Sequence, residues 1–262
     1  VLARLLALVG LVGCRASLHV VSVRANQWCP AAFADLRPHA VVGTDQYLLD
    51  TGATLTRWPA GAPCPEEAEL DLCAVVVKGP LCGSAGLQHI VGGDTLAALA
   101  LSFDVTNGAW AVSSRWELEP ASPPLTPGCT LSFVDKAPGG RAFVSLDIEG
   151  KSGEFLVDTG SEHTLIRRAW FEALVADGRP QEPIEIDTAY GKRMGVVTTS
   201  SGVSPCGAAR SVMIGTGIDD LLDGFDIPAG KTLAGIVGAS YLLAARTVID
   251  YPGAQARIYF RQ

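Results

Sequence analysis

Two stretches of this chain could do chemistry together. Residues 47–52 read Tyr-Leu-Leu-Asp-Thr-Gly, and residues 155–160 read Phe-Leu-Val-Asp-Thr-Gly. In each, an acid follows three apolar residues, so Asp50 and Asp158 are expected at the ends of buried strands. Burial opposes ionisation, so each carboxylate needs compensating donors. The residues that follow can supply them. Thr51 and Thr159 carry hydroxyls, and Gly52 and Gly160 allow a tight turn whose backbone comes close. Two such turns meeting across a pseudo-twofold axis would make the acids neighbours. Two close carboxylates share one proton and titrate as a pair. The ionised partner can take a proton from water while the protonated one donates toward a carbonyl. This is general acid–base hydrolysis of an amide with no covalent intermediate. A tripeptide of average composition is Asp-Thr-Gly only about twice in ten thousand, so a repeated occurrence is a specific signal.

A second repeated block lies downstream of each motif. Residues 90–104 read IVGGDTLAALALSFD and residues 236–250 read IVGASYLLAARTVID. Both blocks end in an acid, Asp104 or Asp250, and then a turn, VTNG (105–108) or DYPG (250–253). Asn-Gly between apolar runs predicts a hairpin. Asp104 and Asp250 are therefore read as turn residues rather than site residues. Each half reads as strand, Asp-Thr-Gly turn, variable middle, Ile-Val-Gly, short helix and hairpin. The Pro-rich segment 117–128 suits an extended linker between the halves. The resulting division is a leader over 1–13, a first β lobe over 14–116, the linker, and a second β lobe over 129–262. Many glycines and prolines and recurrent Val/Ile/Thr runs agree with a mainly β protein.

These segments resemble the aspartic proteases, both the pepsin-like bilobal enzymes and the retropepsin-like ones. The resemblance is carried by YLLDTGATLT with IVGGDTL and by FLVDTGSEHT with IVGASYL. It implies an acid-protease fold of two pseudo-twofold-related β lobes with short helices, and an aspartic endopeptidase acting on a peptide or protein substrate. It implies that Asp50 and Asp158 form the catalytic dyad. Thr51 and Thr159 would lock the two loops through their hydroxyls, Gly52 and Gly160 would shape the turns, and each Ile-Val-Gly would pack beneath its loop. Both copies stand on one chain, so a monomer suffices. No metal or organic cofactor is implied.

The two copies differ. Ala53 follows the first motif and Ser161 the second. A Ser161 hydroxyl donating to Asp158 would favour its charge, so Asp158 is expected to be ionised and Asp50 protonated. The variable middle of the second half is about twice as long as the first. A helix is expected over 165–178, with Gly178 as its C-terminal cap and Pro180 beyond. Two β-type runs over 184–198 flank Ala189, Tyr190, Gly191 and Lys192, which are expected to form the tip of a substrate flap. The first middle shows no comparable hairpin, and its acidic stretch between Cys64 and Cys73 reads as a solvated loop. One flap, from the second lobe, is expected.

The N-terminal run VLARLLALVGLVGC reads as the core of a secretion signal, since a helix of this length covers about 20 Å and cannot span a bilayer. Its last four residues resemble the bacterial lipobox, which implies cleavage before Cys14 and lipid attachment to its sulfur. The alternatives are an ordinary signal peptide or a buried strand with a chance cysteine. The chain would then be an exported lipoprotein of the bacterial cell envelope, tethered to a membrane. Setting Cys14 aside leaves six cysteines, which suit three disulfides in an oxidising compartment. Pairing within halves is expected, Cys129 with Cys206 above all. Scattered histidines and the lack of any Cys-x-x-Cys argue against zinc. The net charge of −7, without a basic stripe, argues against nucleic-acid binding. His163 lies too close in sequence to Ser161 for an ordinary Ser-His-Asp triad. The rival from another class is a non-catalytic lipoprotein that holds an extended peptide in the same cleft.

Overall fold

The computed structural model describes residues 19–57, 68–79, 89–113, 125–136, 140–188, 191–205, 211–225, 227 and 232–261. The first half contains β1 (His19–Val23), β2 (Cys29–Ala34), β3 (Arg37–Val42), β4 (Asp45–Leu49), β5 (Ala68–Asp71), β6 (Val75–Gly79) and β7 (His89–Val91). It ends with α1 (Gly93–Leu96), β8 (Ala100–Asp104) and β9 (Ala109–Ser113). The second half begins with β10 (Leu125–Lys136), β11 (Ala142–Ile148), β12 (Lys151–Val157), β13 (Thr164–Ile166) and α2 (Arg168–Leu174). It continues through β14 (Glu182–Thr188), β15 (Gly191–Ser200), β16 (Val203–Ser204), β17 (Val212–Thr216) and α3 (Asp219–Gly224). The chain closes with β18 (Leu233–Val237), α4 (Ala239–Leu242), β19 (Arg246–Asp250) and β20 (Gln255–Arg261).

The strand ahead of each acid is buried because it has a neighbour on both sides. β4 pairs antiparallel with β3 and parallel with β7, joining Leu48 to Ile90 and Leu49 to Val91. β12 pairs antiparallel with β11 and parallel with β18, joining Leu156 to Ile236 and Val157 to Val237. Strands flanked this way bury side chains on both faces, so they read as continuous apolar runs rather than as alternation. The aliphatic pairs Leu48–Leu49 and Leu156–Val157 are correspondingly buried. Each half thus sets its acid-bearing strand directly against its Ile-Val-Gly strand.

The hairpins that end the two repeats join the halves. β8 pairs antiparallel with β19, with Ser102 opposite Val248 at the centre and Asp104 opposite Arg246 at one end. Ser102 and Val248 occupy the same place in their repeat blocks, so a pseudo-twofold axis passes between them. The sheet extends through β9 to β2 on one side and through β20 to β10 on the other. One apolar cluster includes Phe103 and Trp110 from the first half with Tyr251 and Ile258 from the second. Each hairpin acid caps its own turn. Asp104 accepts the Asn107 backbone N–H at 3.0 Å, and Asp250 accepts that of Gly253 at 2.8 Å. This is the two-lobed β arrangement that the resemblance to aspartic proteases implies.

Three expectations differ from what is observed. The last residues of the expected linker, 125–128, lie in β10 and pair with β20, because the inter-lobe sheet recruits them. The expected helix over 165–178 is shorter. Leu165 and Ile166 are drawn into β13 beside β18, and α2 starts only at Arg168. Gly178, at φ +81°, lies beyond its end. The acidic stretch before Cys73 is not wholly a solvated loop. Residues 68–71 form β5, which makes a hairpin with β6, and Leu70 and Leu72 are buried. That hairpin pairs through β6 with β1 in a separate three-stranded sheet.

Cys29 and Cys73 form a disulfide across 44 residues within the first half. Cys129 is also disulfide-bonded. Cys64, Cys82 and Cys206 lie outside the described residues, as does Cys14 with the rest of the expected leader.

Candidate active site

Each acid emerges from the end of its buried strand with its backbone already fixed. The Asp50 N–H donates to the Val91 carbonyl at 3.0 Å, and the Asp158 N–H donates to the Val237 carbonyl at 3.1 Å. The chain then turns back over the carboxylate. Gly52 and Ala53 N–H groups both donate to Asp50 Oδ1 at 2.9 Å. Gly160 and Ser161 N–H groups donate to Asp158 Oδ1 at 2.8 and 3.2 Å.

The loop that follows is tied to its short helix in the same way in both halves. Gly93 N–H donates to the Ala53 carbonyl and Ala239 N–H to the Ser161 carbonyl, each at 2.7 Å. Gly92 N–H donates to the Thr56 hydroxyl at 3.0 Å, and Gly238 N–H to the Thr164 hydroxyl at 3.3 Å. In the first half a half-buried carboxylate adds to this. Asp94 accepts from both the backbone and the hydroxyl of Thr56 at 2.9 and 2.7 Å.

Two reciprocal contacts bring the motifs together. Thr51 N–H donates to the Thr159 hydroxyl at 3.2 Å, and Thr159 N–H donates to the Thr51 hydroxyl at 3.0 Å. Each hydroxyl also donates across the boundary, Thr51 to the Val157 carbonyl at 3.0 Å and Thr159 to the Leu49 carbonyl. Both threonines are fully buried. The glycines make the second contact. A Cβ on Gly52 would fall 2.3 Å from the Asp158 carboxyl carbon, and one on Gly160 would fall 2.4 Å from that of Asp50. Each glycine therefore leaves room for the acid of the other half. The two carboxyls end within hydrogen-bond reach of each other.

Burial raises both carboxyls above the usual range, but not equally. Asp158 stands well above it, through burial and then through the charge of Asp50. Asp50 is raised by burial and held back by the Ala53 N–H, by the hydrogen bond from Asp158, by the Gly52 N–H and by the nearby Arg57 guanidinium. Asp158 is thus the more strongly raised of the two, a direction opposite to the one expected from Ser161. The Ser161 hydroxyl does not reach Asp158; it donates to the His163 carbonyl at 2.8 Å. Asp50 is held lower chiefly by the Ala53 N–H and the bond from Asp158, and the Arg57 charge adds the least. The phenol of the fully buried Tyr251 is raised too, first by burial and then by both carboxylates.

The dyad lies in a cleft of about 640 Å³. Asp50, Asp158, Gly52, Gly160 and Ser161 line it. The expected hairpin is present, with Thr188 opposite Gly191 and Asp187 opposite Lys192. Its contribution to the cleft comes from Ile186, Asp187 and Thr188. Lys192 is exposed, with its ammonium on Glu185 of the same hairpin, and does not line the cleft; Gly191 does not line it either. The tip residues Ala189 and Tyr190 lie outside the described residues. Two links hold the hairpin from beneath and across. Arg193 binds Asp220 of α3 at 2.7 Å, and Asp187 lies 3.9 Å from Arg37 of the first half.

Several lining residues were not foreseen from the sequence. Ile218, Leu221 and Phe225, in and around α3, form an apolar wall with Leu165 and Ile236. Arg141, buried, stacks its guanidinium 5.2 Å from the Phe225 ring. Arg57 also lines the cleft, and its place was readable in principle. It follows Asp50 at the spacing at which Leu165 follows Asp158. Among the described residues no cluster of His, Cys, Asp and Glu could hold a metal ion.

Residues 144–213, which include the second Asp-Thr-Gly and the flap hairpin, match a protein-family model described as aspartyl protease. The second lobe is therefore similar to aspartyl proteases. No curated protein matches the chain. Among solved structures, a retropepsin-like aspartic protease from Rickettsia conorii is similar at 16% identity and a TM-score of 0.32. The match covers 50% of this chain and 97% of that one.

Proposed function

We propose that this chain is an aspartic-type endopeptidase that hydrolyses peptide bonds with a water activated between Asp50 and Asp158. One observation carries the reading. The exchanged threonine bonds and the mutual glycine–carboxylate packing hold two acids of unequal basicity side by side at the floor of a cleft.

The chemistry follows from that inequality. Ionised Asp50 takes a proton from water as its oxygen attacks the peptide carbonyl carbon. Asp158 gives its proton to the carbonyl oxygen, and a neutral tetrahedral diol forms. On collapse, Asp50 passes its proton to the amide nitrogen, the C–N bond breaks, and one diol hydroxyl returns a proton to Asp158. The dyad ends as it began. Thr51, Gly52, Thr159, Gly160 and Ser161 hold the two loops in place through this cycle. The β14–β15 hairpin acts as the flap that excludes bulk water over the substrate.

Both acids belong to one chain, which supports action as a monomer. The apolar run ending at Cys14 supports export, lipid attachment to its sulfur and tethering to a membrane of the bacterial envelope. The disulfide between Cys29 and Cys73 agrees with an oxidising compartment.

The test is to express residues 15–262 in an oxidising compartment and follow cleavage of a mixed peptide library across acidic to neutral pH, beside Asp158→Asn. Cleavage in the wild type that disappears in the variant is expected. Cleavage that survives the substitution would sink the mechanism, and peptide binding without turnover would assign the cleft to a binding module.

A further inference from the structure

The pseudo-twofold frame of the cleft is symmetric in backbone and broken in charge at one pair of positions. Arg57 and Leu165 stand at the same distance along the chain from their respective acids. Each pairs its backbone with the isoleucine of its own Ile-Val-Gly: Arg57 forms a bridge with Ile90, and Leu165 lies opposite Ile236. Both residues, and both isoleucines, line the cleft. The same scaffold therefore presents a guanidinium on one side of the dyad and an isobutyl group on the other.

The surroundings sharpen the contrast. On the Leu165 side the wall is mostly apolar, built with Ile186, Ile218, Leu221, Phe225 and Ile236, and its one guanidinium among the described residues, Arg141, is stacked on Phe225. On the Arg57 side the guanidinium has no hydrogen-bond or ion-pair partner among the described residues. The carboxylates of the flap side are engaged elsewhere, Asp220 with Arg193 and Asp187 near Arg37. Asp50 is the acid close enough to feel the charge of Arg57, and its Oδ1 is already held by two backbone donors. A half-buried guanidinium facing a cleft in a protein of net charge −7 is set to receive an anion from outside.

We infer that Arg57 makes the first-lobe side of the cleft a subsite for a substrate carboxylate, while the Leu165 side takes an aliphatic or aromatic side chain. This deepens the reading of the cleft as a peptide site and rests on it. The carboxylate can be an acidic side chain within the peptide or a free C-terminus. Planar, two-pronged donation from Arg matches either, and a neutral amide of the same shape loses the charge-assisted bond. The unequal sides also fix the direction in which a peptide lies across the dyad.

The test uses peptides with one scissile bond, carrying Glu, Gln or Lys in turn at each position near it, each with a free or amidated C-terminus. Wild type is compared with Arg57→Leu, Arg57→Lys and Arg57→Glu. Leu is what the equivalent position already carries, so the fold accommodates it. Wild type is expected to prefer Glu over Gln at one position by about tenfold, mainly in KM. Arg57→Leu abolishes the preference, Arg57→Lys keeps part of it, and Arg57→Glu turns it toward Lys. A preference that follows the free C-terminus instead assigns the subsite to a terminal carboxylate. Binding of uncleavable reduced-amide analogues is measured in parallel. Peptides bound with the Glu preference but never cut would remove the protease reading and leave the subsite standing. Peptides cut without the preference, or with one that Arg57→Leu retains, would overturn the subsite and leave the protease reading. Peptides neither bound nor cut would overturn both.

Discussion

Gly52 and the Asp158 carboxyl occupy adjoining space so closely that a single Cβ on the glycine would lie 2.3 Å from the carboxyl carbon. Gly160 stands in the same relation to Asp50. The glycine of each motif is thus required by the acid of the other half, 108 positions away, as well as by its own turn. The halves cannot separate by even a small shift without losing this packing and the exchanged threonine bonds together.

Gly52→Ala is expected to abolish peptide hydrolysis and to destabilise the fold by about 1–3 kcal/mol, the usual range for one overpacked carbon. Thermal denaturation and kcat/KM on a cleaved peptide check both. Retention of full activity would show that the carboxyls do not need this separation.

The threonines are expected to behave as one unit. Thr51→Val leaves the Thr159 N–H and the Val157 carbonyl without a partner in a fully buried place, at a cost of about 1–3 kcal/mol. Thr159→Val does the same to the Thr51 N–H and the Leu49 carbonyl. Because the two residues bond each other, each hydroxyl accepting the other's N–H and the hydroxyls lying 3.4 Å apart, the double variant should lose clearly less than the sum of the two. Denaturant midpoints of the three variants measure this, and strict additivity would mean that the two hydroxyls act separately.

Stability and activity should both decline as pH rises from acid toward neutral. Both dyad carboxyls are raised in the folded protein, Asp158 the more. A raised carboxyl binds its proton more tightly folded than unfolded. Its contribution is complete below the unfolded value of about 3.9 and is lost as pH climbs through the folded value. Activity falls along the same limb as Asp158 loses the proton it donates. Asp158→Asn should flatten the corresponding part of the stability curve. Melting temperatures of both proteins over the acid-to-neutral range give the comparison, and parallel curves would show that Asp158 is not raised.

Breaking the Cys29–Cys73 bond should destabilise the first half. The bond closes 44 residues, so its loss is expected to cost about 2–4 kcal/mol. Paired Cys29→Ala and Cys73→Ala substitutions, read by denaturant unfolding, test this without touching the other cysteines. An unchanged midpoint would mean that β2 and the β5–β6 hairpin are held by packing alone.

The local pieces were legible along the chain. Three apolar residues before each acid marked strands buried on both faces. Asn107-Gly108 and Pro252-Gly253 marked the hairpins, and the recurrence of both blocks marked two related lobes. These signals are legible because turn chemistry and burial pattern are properties of neighbours along the chain. Tertiary structure decided the rest. Ser161 suggested a charged Asp158, but its hydroxyl turns to the His163 carbonyl, and burial beside Asp50 raises Asp158 the more of the two. The stretch before Cys73 looked solvated, yet it forms a strand because β6, itself backed by β1, offers it an edge. The expected helix lost its first turn to β13 because β18 offered a ladder. A carboxyl's charge depends on the nearest ions and donors in space, and a segment's state depends on which sheet edge is open to it. Neither is written in the residues on either side.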